Sequence, residues 1–256
     1  MSIKPAYMTA TLAKGLDVLE ALSDVEEIGL SDLERRQGVS GPTLFRILAT
    51  LGARGYVRKS AAGRYSLTLK AWEIGAKAVR RLALRDIARP FLEALARETQ
   101  ETANLSVLQG DGIVILDKID SPHPVRVETF IGLRAPIHCS ATGKAIAAFE
   151  RPEALEALLP ERLQRHTEAT ITDRAELAKE LAQVRRLGWA RNREEWRPGV
   201  SAAGVPVRDA AGAVAASLSV TVPTPRFTGE AVRDRLVPAL KKAALGLERQ
   251  LARAAR

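Results

Sequence analysis

The sequence is poor in the residues that bind metals or form disulfides. Its 256 residues include one cysteine, Cys139, and three histidines, His123, His138 and His166. A single cysteine excludes an internal disulfide, and the four residues do not follow the close pairwise spacing of zinc-binding motifs. We therefore expect neither a metal site nor a bound cofactor.

Long hydrophobic runs and aromatic residues are also scarce. No apolar stretch reaches the roughly 18 residues needed to cross a bilayer, and the first twenty residues lack the apolar core of a secretion signal. These absences predict a cytoplasmic protein with no membrane partner. Aromatic residues make up only 4% of the chain. This argues against an RNA-binding module, because such modules stack bases on exposed aromatic side chains.

Motifs typical of enzymes are missing as well. The segment HCSATGKA is similar to a phosphate-binding loop, but His138 and Ala145 stand where that loop needs Gly and Ser or Thr. His138 and Cys139 are adjacent, and adjacent side chains on an extended segment point to opposite faces, so we do not expect a nucleophile pair. Because side chains alternate along a strand, Glu194 and Glu195 should also point to opposite faces. We expect both to face solvent or to cap a partner. We predict that the protein is not an enzyme and has no catalytic residues.

One stretch of the chain has no acidic residue. Between Arg35 and Arg64 there are seven basic residues and no Asp or Glu. A solvated surface usually mixes the two signs, so a thirty-residue window of one sign needs a partner of the opposite charge. Together with the net charge of +9, this window indicates binding to nucleic acid phosphates.

Helical periodicity and turn residues predict three helices and a hairpin before residue 70. The first helix covers about residues 9–23, the second starts with the capping box SDLE at Ser31 and ends at Gly38, and the third begins at Ser40 or Gly41. A hairpin follows around the turn SAAG. This order is that of a winged helix-turn-helix, and a helical subdomain that packs on another protein is the alternative. The side chains expected to pack inward from the first helix are Leu12, Leu16, Val18, Leu19 and Leu22.

The start of the third helix is the expected DNA-reading element. Arg46 is the strongest candidate for a contact to guanine or to phosphate, and the sequence does not choose between them. Thr43 is placed to touch a thymine methyl group, whereas Phe45 is equally compatible with core packing. The basic residues of the hairpin suit contacts to the DNA backbone. The predicted DNA-binding residues are Ser40, Gly41, Thr43, Phe45, Arg46, Arg54, Arg58, Lys59 and Arg64.

The rest of the chain predicts a larger domain of mixed helices and strands. Residues 70–85 stay helical without a turn signal, and Pro90 is expected near the start of the next helix. Strand-like runs joined directly as hairpins indicate a mainly antiparallel sheet, which makes the fold class α+β. These runs are ANLSVLQ, GIVILDKI, VRVETF, WARNREE, VSAAGVPVRD and AVAASLSVTV.

Several segments carry a family resemblance in the same order along the chain. They are TLAKGLDVLEALS, GLSDLERRQGVSGPTLFRILATLGARGYV, GRYSLTLKAWEIG, PIHCSATGKAIAAF and TITDRAELAKELAQVRRLGWARNREEWRPGVSAAGVPVRDAAGAVAASLSVTVP. From about Thr9 to Arg253 the chain resembles the IclR family of transcription regulators. The resemblance implies a winged helix-turn-helix over residues 9–69, a linker helix over 70–85 and a GAF-like effector-binding domain over 86–256, in a homodimer or homotetramer.

The resemblance also implies an effector pocket. Its residues, carried over by position, are Ala141, Thr142, Gly143, Asn192, Ala202, Ser219 and Thr221. The chemistry agrees, because a turn of small residues entering a helix presents free N–H groups to an anion, and Ser219 and Thr221 point to one face of a strand. Asn192 and Ala202 depart from acidic and cysteine residues of some family members, which enlarges and neutralises the pocket. Gly41, Pro42 and Phe45 depart from the usual recognition turn and predict an atypical operator.

The expected function is therefore regulation of transcription. The protein is predicted to bind a double-stranded DNA operator and to respond to a small-molecule effector, with carboxylate or aromatic catabolites as the class suggested by the family, and RNA polymerase as a possible further partner. The alternative is a small-molecule-binding or enzymatic α/β protein that carries an accessory basic domain.

Overall fold

Residues 8–79 and 83–254 are described by the computed structural model, in which the chain divides into two units, Met1–Arg81 and Leu82–Arg256. The predicted linker helix over 70–85 spans this division. Helix is present up to Val79 and from Ala83 onward, and residues 80–82 between them lie outside the described residues. A continuous linker helix therefore stays a prediction.

The first unit is a three-helix core followed by a hairpin and a fourth helix. Its elements are α1 (Ala10–Ser23), α2 (Leu30–Gln37), α3 (Gly41–Ala53), β1 (Val57–Lys59), β2 (Tyr65–Leu67) and α4 (Lys70–Val79). The two strands pair antiparallel, and Ile28 adds an isolated bridge to Tyr65. The predicted helix-turn-helix and wing are both present.

The core of this unit excludes part of the apolar stripe predicted for α1. Val18 and Leu22 are buried, and they pack with Leu33 and Leu48 from the other helices. Leu12 and Leu16, by contrast, are 63% and 53% exposed, so the prediction that they pack inward is wrong. The first half of α1 lies outside the hydrophobic core of this unit.

The turn between α2 and α3 also differs from the predicted one. Gly29, and not Ser31, occupies the N-cap of α2, which accepts no side-chain capping bond. The Glu34 carboxylate instead accepts a hydrogen bond of 2.6 Å from the Gly41 N–H at the start of α3. Gly38 ends α2 as predicted, in a left-handed conformation with φ of 61° that favours glycine. Glu34 thus ties the two helices of the motif together.

The second unit is built around a six-stranded sheet in which every pair is antiparallel, as predicted. Its strands are β3 (Thr102–Gln109), β4 (Gly112–Ile119), β5 (Arg134–Pro136), β6 (Ala190–Arg193), β7 (Val200–Arg208) and β8 (Val214–Pro223), in the spatial order β5-β4-β3-β8-β7-β6. The segment VRVETF, predicted as a strand, has no strand structure. Pro122 and Pro124 just before it cannot donate to a ladder.

Helices cover this sheet. They are α5 (Ala83–Thr99), α6 (Ala141–Ala147), α7 (Pro152–Leu158), α8 (Arg174–Leu187), α9 (Gly229–Ala231) and α10 (Val237–Ala254), with a π-helical turn at Val232–Leu236 before the last. α5 and α10 contact each other and the sheet, whereas α6 lies between β7, β8 and α8. Pro90 is inside α5 and not near its start, contrary to prediction. The α+β fold class is confirmed.

Candidate DNA-binding face and effector pocket

The N-terminus of α3 is organised by hydrogen bonds among the predicted contact residues. Ser40 is the N-cap, and its hydroxyl donates to the Thr43 hydroxyl over 3.0 Å. Gly41 is held by Glu34, whose carboxylate oxygens lie 3.4 Å from the position that a Cβ at Gly41 would take. Pro42 occupies the first turn, where a missing N–H costs nothing. The turn is therefore fixed before any DNA is present.

The outer face of α3 carries Phe45 and Arg46. Leu44, Ile47 and Leu48 are buried, and this places the two residues between them on the solvent side. Phe45 is 54% exposed, so core packing, one of its two predicted placements, is excluded. Arg46 is exposed, and among the described residues its guanidinium makes no ion pair. An aromatic ring and an available cation thus stand side by side at the tip of the motif.

The basic residues of the hairpin differ in how far they are already engaged. The Arg58 guanidinium donates to the Ser66 hydroxyl across the strand pair over 2.9 Å, and the Lys59 ammonium lies 5.4 Å from the centre of the Tyr65 ring. Arg64 donates to the Glu27 backbone carbonyl over 2.9 Å, and its Nε lies 3.8 Å from the Glu27 carboxylate. Arg54 is exposed at the C-terminal end of α3. Arg64 is therefore the least available of the group for phosphate.

A cavity of about 60 Å³ lies in the second unit between the sheet and the start of α6. Six of the seven predicted effector residues line it. They are Ala141, Thr142, Asn192, Ala202, Ser219 and Thr221. The space is enough for a few water molecules, so a ligand with a ring would require side chains to move.

Cross-strand register explains why residues distant in sequence meet in this cavity. Asn192 pairs with Ala202, which pairs with Thr221, so the three form one row across β6, β7 and β8. In the same way Ser219 lies opposite Asn104 of β3. Residues in one row share a face of the sheet, and this face looks toward α6.

Gly143 is the exception among the predicted pocket residues. It does not line the cavity, and its N–H donates to the Ser140 hydroxyl over 3.1 Å, so it is not free for an anion. A Cβ at this position would lie 2.5 Å from the Ile137 carbonyl oxygen. Glycine is required here because the helix start packs against the preceding turn. The role of Gly143 is close packing, and the prediction that it contacts ligand has no support in this geometry.

Gly204 of β7 has a comparable role that the sequence reading missed. A Cβ there would lie 3.0 Å from the backbone carbon and oxygen of Ala141 and 3.2 Å from the Thr142 nitrogen. The absence of a side chain lets the first turn of α6 sit directly on the sheet. This contact places Ala141 and Thr142, both buried, in the cavity wall.

Several polar residues of the cavity lining were also missed, namely Asn104, Ser106, Glu128, Thr129, Ser140 and Arg197. Asn104 donates from Nδ2 to the Thr221 hydroxyl over 3.1 Å and accepts from the Thr129 hydroxyl over 2.9 Å. The Ser106 hydroxyl is buried and has no hydrogen-bond partner among the described residues. Arg197 is exposed, and its guanidinium stacks 4.4 Å from the centre of the Trp196 ring. Only the strand alternation of ANLSVLQ could have indicated Asn104 and Ser106, and nothing local marks Arg197.

A buried ion pair lies under α6. The Lys144 ammonium is fully buried and lies 2.7 and 2.8 Å from the two Glu195 carboxylate oxygens and 3.3 Å from Glu180. Burial raises the pKa of Glu195, and Lys144 opposes that rise. The expectation that Glu195 faces solvent or caps a partner is therefore wrong. β6 ends at Arg193, and the left-handed Glu194, with φ of 60°, turns the chain so that Glu195 points inward.

The adjacent pair His138 and Cys139 also departs from expectation. The residues lie in a turn and not on an extended segment, so their side chains are not forced to opposite faces. One potential ligand atom from each of them and one from His166 all lie within 4.8 Å of one another. The spacing argument against a metal cluster therefore fails, because the third residue comes from a loop far along the sequence.

Together, the two units define a class of protein. A winged helix-turn-helix, and a unit with a cavity lined by strands of the sheet and the start of α6, are the parts of a DNA-binding regulator that senses a small molecule. The chain belongs to the IclR family. Its residues 11–61 match the IclR helix-turn-helix domain, and residues 76–249 match the bacterial transcriptional regulator IclR C-terminal domain. The protein is a transcriptional regulator of the IclR type with an effector-binding C-terminal domain.

Individual relatives agree with this assignment. The HTH-type transcriptional regulator KdgR of Escherichia coli strain K12 is 37% identical over 227 residues, which cover 88% of this chain and 86% of KdgR. The crystal structure of an IclR transcriptional regulator from Alicyclobacillus acidocaldarius is similar with a TM-score of 0.80 and 29% identity, over 95% of this chain and 99% of that one.

One similar structure contains a ligand. It is an IclR homologue from Microbacterium hydrocarbonoxydans complexed with 4-hydroxybenzoate, with a TM-score of 0.78 and 26% identity, over 96% of this chain and all of that one.

The relatives are named as regulators and not as enzymes. Among the described residues, no helix is both long and apolar enough to span a bilayer.

Proposed function

We propose that this regulator binds its operator through the exposed face of α3, with Arg46 as the principal contact and Phe45 beside it. The observation that supports this most is the exposure of both side chains next to a fixed helix N-terminus, in a window without acidic residues. An exposed guanidinium can bind guanine or phosphate, whereas the first N–H of α3 is already bonded to the Glu34 carboxylate. Arg54, Arg58 and Lys59 add contacts to the DNA backbone.

The proposal is tested by replacing Arg46. Arg46→Ala is expected to weaken operator binding by about 1–3 kcal/mol, measured by fluorescence anisotropy on a promoter fragment selected by footprinting. Arg186→Ala, which removes an exposed cation of the second unit, is the matched control and is expected to leave binding unchanged. Equal affinities of the Arg46 and Arg186 variants would remove Arg46 from the DNA-reading set.

We propose further that the cavity binds a small carboxylate, including aromatic carboxylates, and has no catalytic role. Ser106 supports this, because a buried hydroxyl without a partner costs free energy unless a ligand or water satisfies it. Asn104, Asn192 and Thr221 supply further polar groups, and of the two charged residues in the lining, Arg197 and Glu128, Arg197 is the one that would pair with a carboxylate. A carboxylate bound there would face the N–H groups of Ala141 and Thr142.

A thermal-shift screen with 4-hydroxybenzoate, benzoate and short aliphatic keto acids tests this assignment on the full chain. A ligand raises the apparent stability by mass action. Ser106→Ala is expected to lower the affinity of the best ligand by roughly tenfold, the worth of one hydrogen bond. The matched control is Ser217→Ala, opposite Ser106 in the sheet register but already bonded to the Val205 carbonyl and outside the cavity lining. If Ser106→Ala binds like the parent protein, Ser106 is not a ligand contact.

We propose that the regulator works as a homodimer or a dimer of dimers, and that ligand binding changes the separation of the two α3 helices. Both helices engage one face of DNA only when half-sites lie about 34 Å apart or at multiples of that distance. The linker segment is the expected route of this coupling. Saturating ligand should therefore change operator affinity or DNA bending, and unchanged values of both would contradict the mechanism.

A further inference from the structure

His138, Cys139 and His166 form a compact group outside the effector cavity. Their potential ligand atoms lie within 4.8 Å of one another, and none of the three residues lines the cavity. His138 and Cys139 are 3% and 0% exposed. The two imidazole rings lie 5.9 Å apart, centre to centre, at 33°. Two imidazoles and one thiol are the ligand types that zinc prefers.

We propose that these three side chains bind one Zn²⁺ ion per chain. Zinc bonds of about 2.0–2.1 Å to nitrogen and about 2.3 Å to sulfur in a tetrahedral arrangement place ligand atoms about 3.3–3.6 Å apart. The three ligand atoms, which lie within 4.8 Å of one another, would approach to these separations on binding the ion. Three protein ligands leave one position for water. When the sulfur–zinc bond forms, the proton of the Cys139 thiol is released to solvent.

The hydrogen bonds around the group fit this assignment. His138 Nε2 lies 3.0 Å from the Gln164 backbone carbonyl, which only accepts, so Nε2 carries the proton and Nδ1 keeps its lone pair for a metal. His166 Nε2 is buried and has no partner among the described residues. A metal ion would satisfy that nitrogen. His138 thus shows the arrangement usual in metal-binding histidines, with one ring nitrogen bonded to a carbonyl and the other left for the metal.

The loop that carries His166 is held in place without a metal. The backbone N–H of His166 donates to the Thr170 hydroxyl over 3.0 Å, and that hydroxyl donates to the backbone carbonyl of Glu195 over 2.6 Å. The Thr167 hydroxyl is bonded to the Glu194 carbonyl over the same distance. The backbone that carries the third ligand is therefore fixed before binding, which lowers the entropy lost when the ion enters.

Equilibrium dialysis of the chelator-treated full chain against Zn²⁺ tests the site. The expected result is one equivalent of zinc per chain. Cys139→Ser and His166→Gln should each weaken binding by roughly tenfold or more, while His123→Ala, at an exposed histidine, should not change it. Co²⁺ should give a thiolate-to-metal absorption band that Cys139→Ser abolishes.

Circular dichroism verifies that each variant is folded. If Cys139→Ser does not fold, the His166→Gln variant provides the test. The assignment is overturned if the parent protein retains no stoichiometric zinc, or if folded Cys139→Ser or His166→Gln binds zinc and cobalt as the parent does.

Discussion

The ammonium group of Lys144 is completely shielded from solvent. Its donors face the carboxylates of Glu195 and Glu180. The ion pair joins α6 to α8 and to the turn after β6, so Lys144 holds the cavity wall in place.

Lys144→Met should therefore lower stability and not simply ligand affinity. Removing one partner of a buried ion pair leaves an uncompensated charge and costs about 3–5 kcal/mol. The expected result is a loss of this size in the free energy of unfolding, measured by urea denaturation. Adding Glu195→Gln should recover part of the loss, since the double variant buries no free carboxylate at position 195. A double variant that is less stable than Lys144→Met would contradict this account.

At the level of secondary structure, periodicity predicted most of the elements because their burial follows regular spacing. The buried residues of α3 (Leu44, Ile47 and Leu48) and of α8 (Leu177, Leu181 and Val184) follow helical spacing, whereas β8 buries five consecutive residues, 216–220. The failures have local causes. VRVETF alternates like a strand but follows two prolines, and Thr129 at its end hydrogen-bonds Asn104 and does not continue a ladder.

Glycines of two helices provide a matched pair for testing these packing contacts. Gly143→Ala in α6 would drive a methyl group against the Ile137 backbone and should destabilise the protein by about 1–3 kcal/mol. Gly15 in α1 has no heavy atom within 4 Å of the position that an added methyl group would take. Gly15→Ala should stabilise the protein by up to about 1 kcal/mol through helix propensity. Urea denaturation of both variants measures the contrast, and equal effects would contradict it.

At the level of the whole molecule, exposed apolar side chains concentrate in the first unit. Among the described residues of that unit, seven large apolar side chains are exposed, although it is much the smaller of the two units. They are Met8, Leu12, Leu16, Phe45, Leu69, Trp72 and Ile74. Phe45 belongs to the DNA-binding face, and the others lie in or beside α1 and α4. A surface of this kind is typical of an interface between protein chains.

We expect α1 to contribute to the dimer interface. Leu16→Glu should weaken dimerisation by roughly tenfold or more, as measured by sedimentation velocity over a concentration series. Leu245→Glu, at an exposed leucine of the second unit, is the control and should leave dimerisation unchanged. The opposite pattern, in which only Leu245→Glu dissociates the dimer, would place the interface in the second unit.

The sequence alone determined the two-part organisation, the winged helix-turn-helix, the antiparallel sheet and the basic window, because each depends on periodicity, turn residues or charge over short stretches. Only the tertiary structure decided which polar residues meet. Ser106 joins the cavity through strand register, Glu195 turns inward through one left-handed residue, and His166 approaches Cys139 from a separate loop. These contacts join residues far apart in the chain, and no local pattern encodes such a distance.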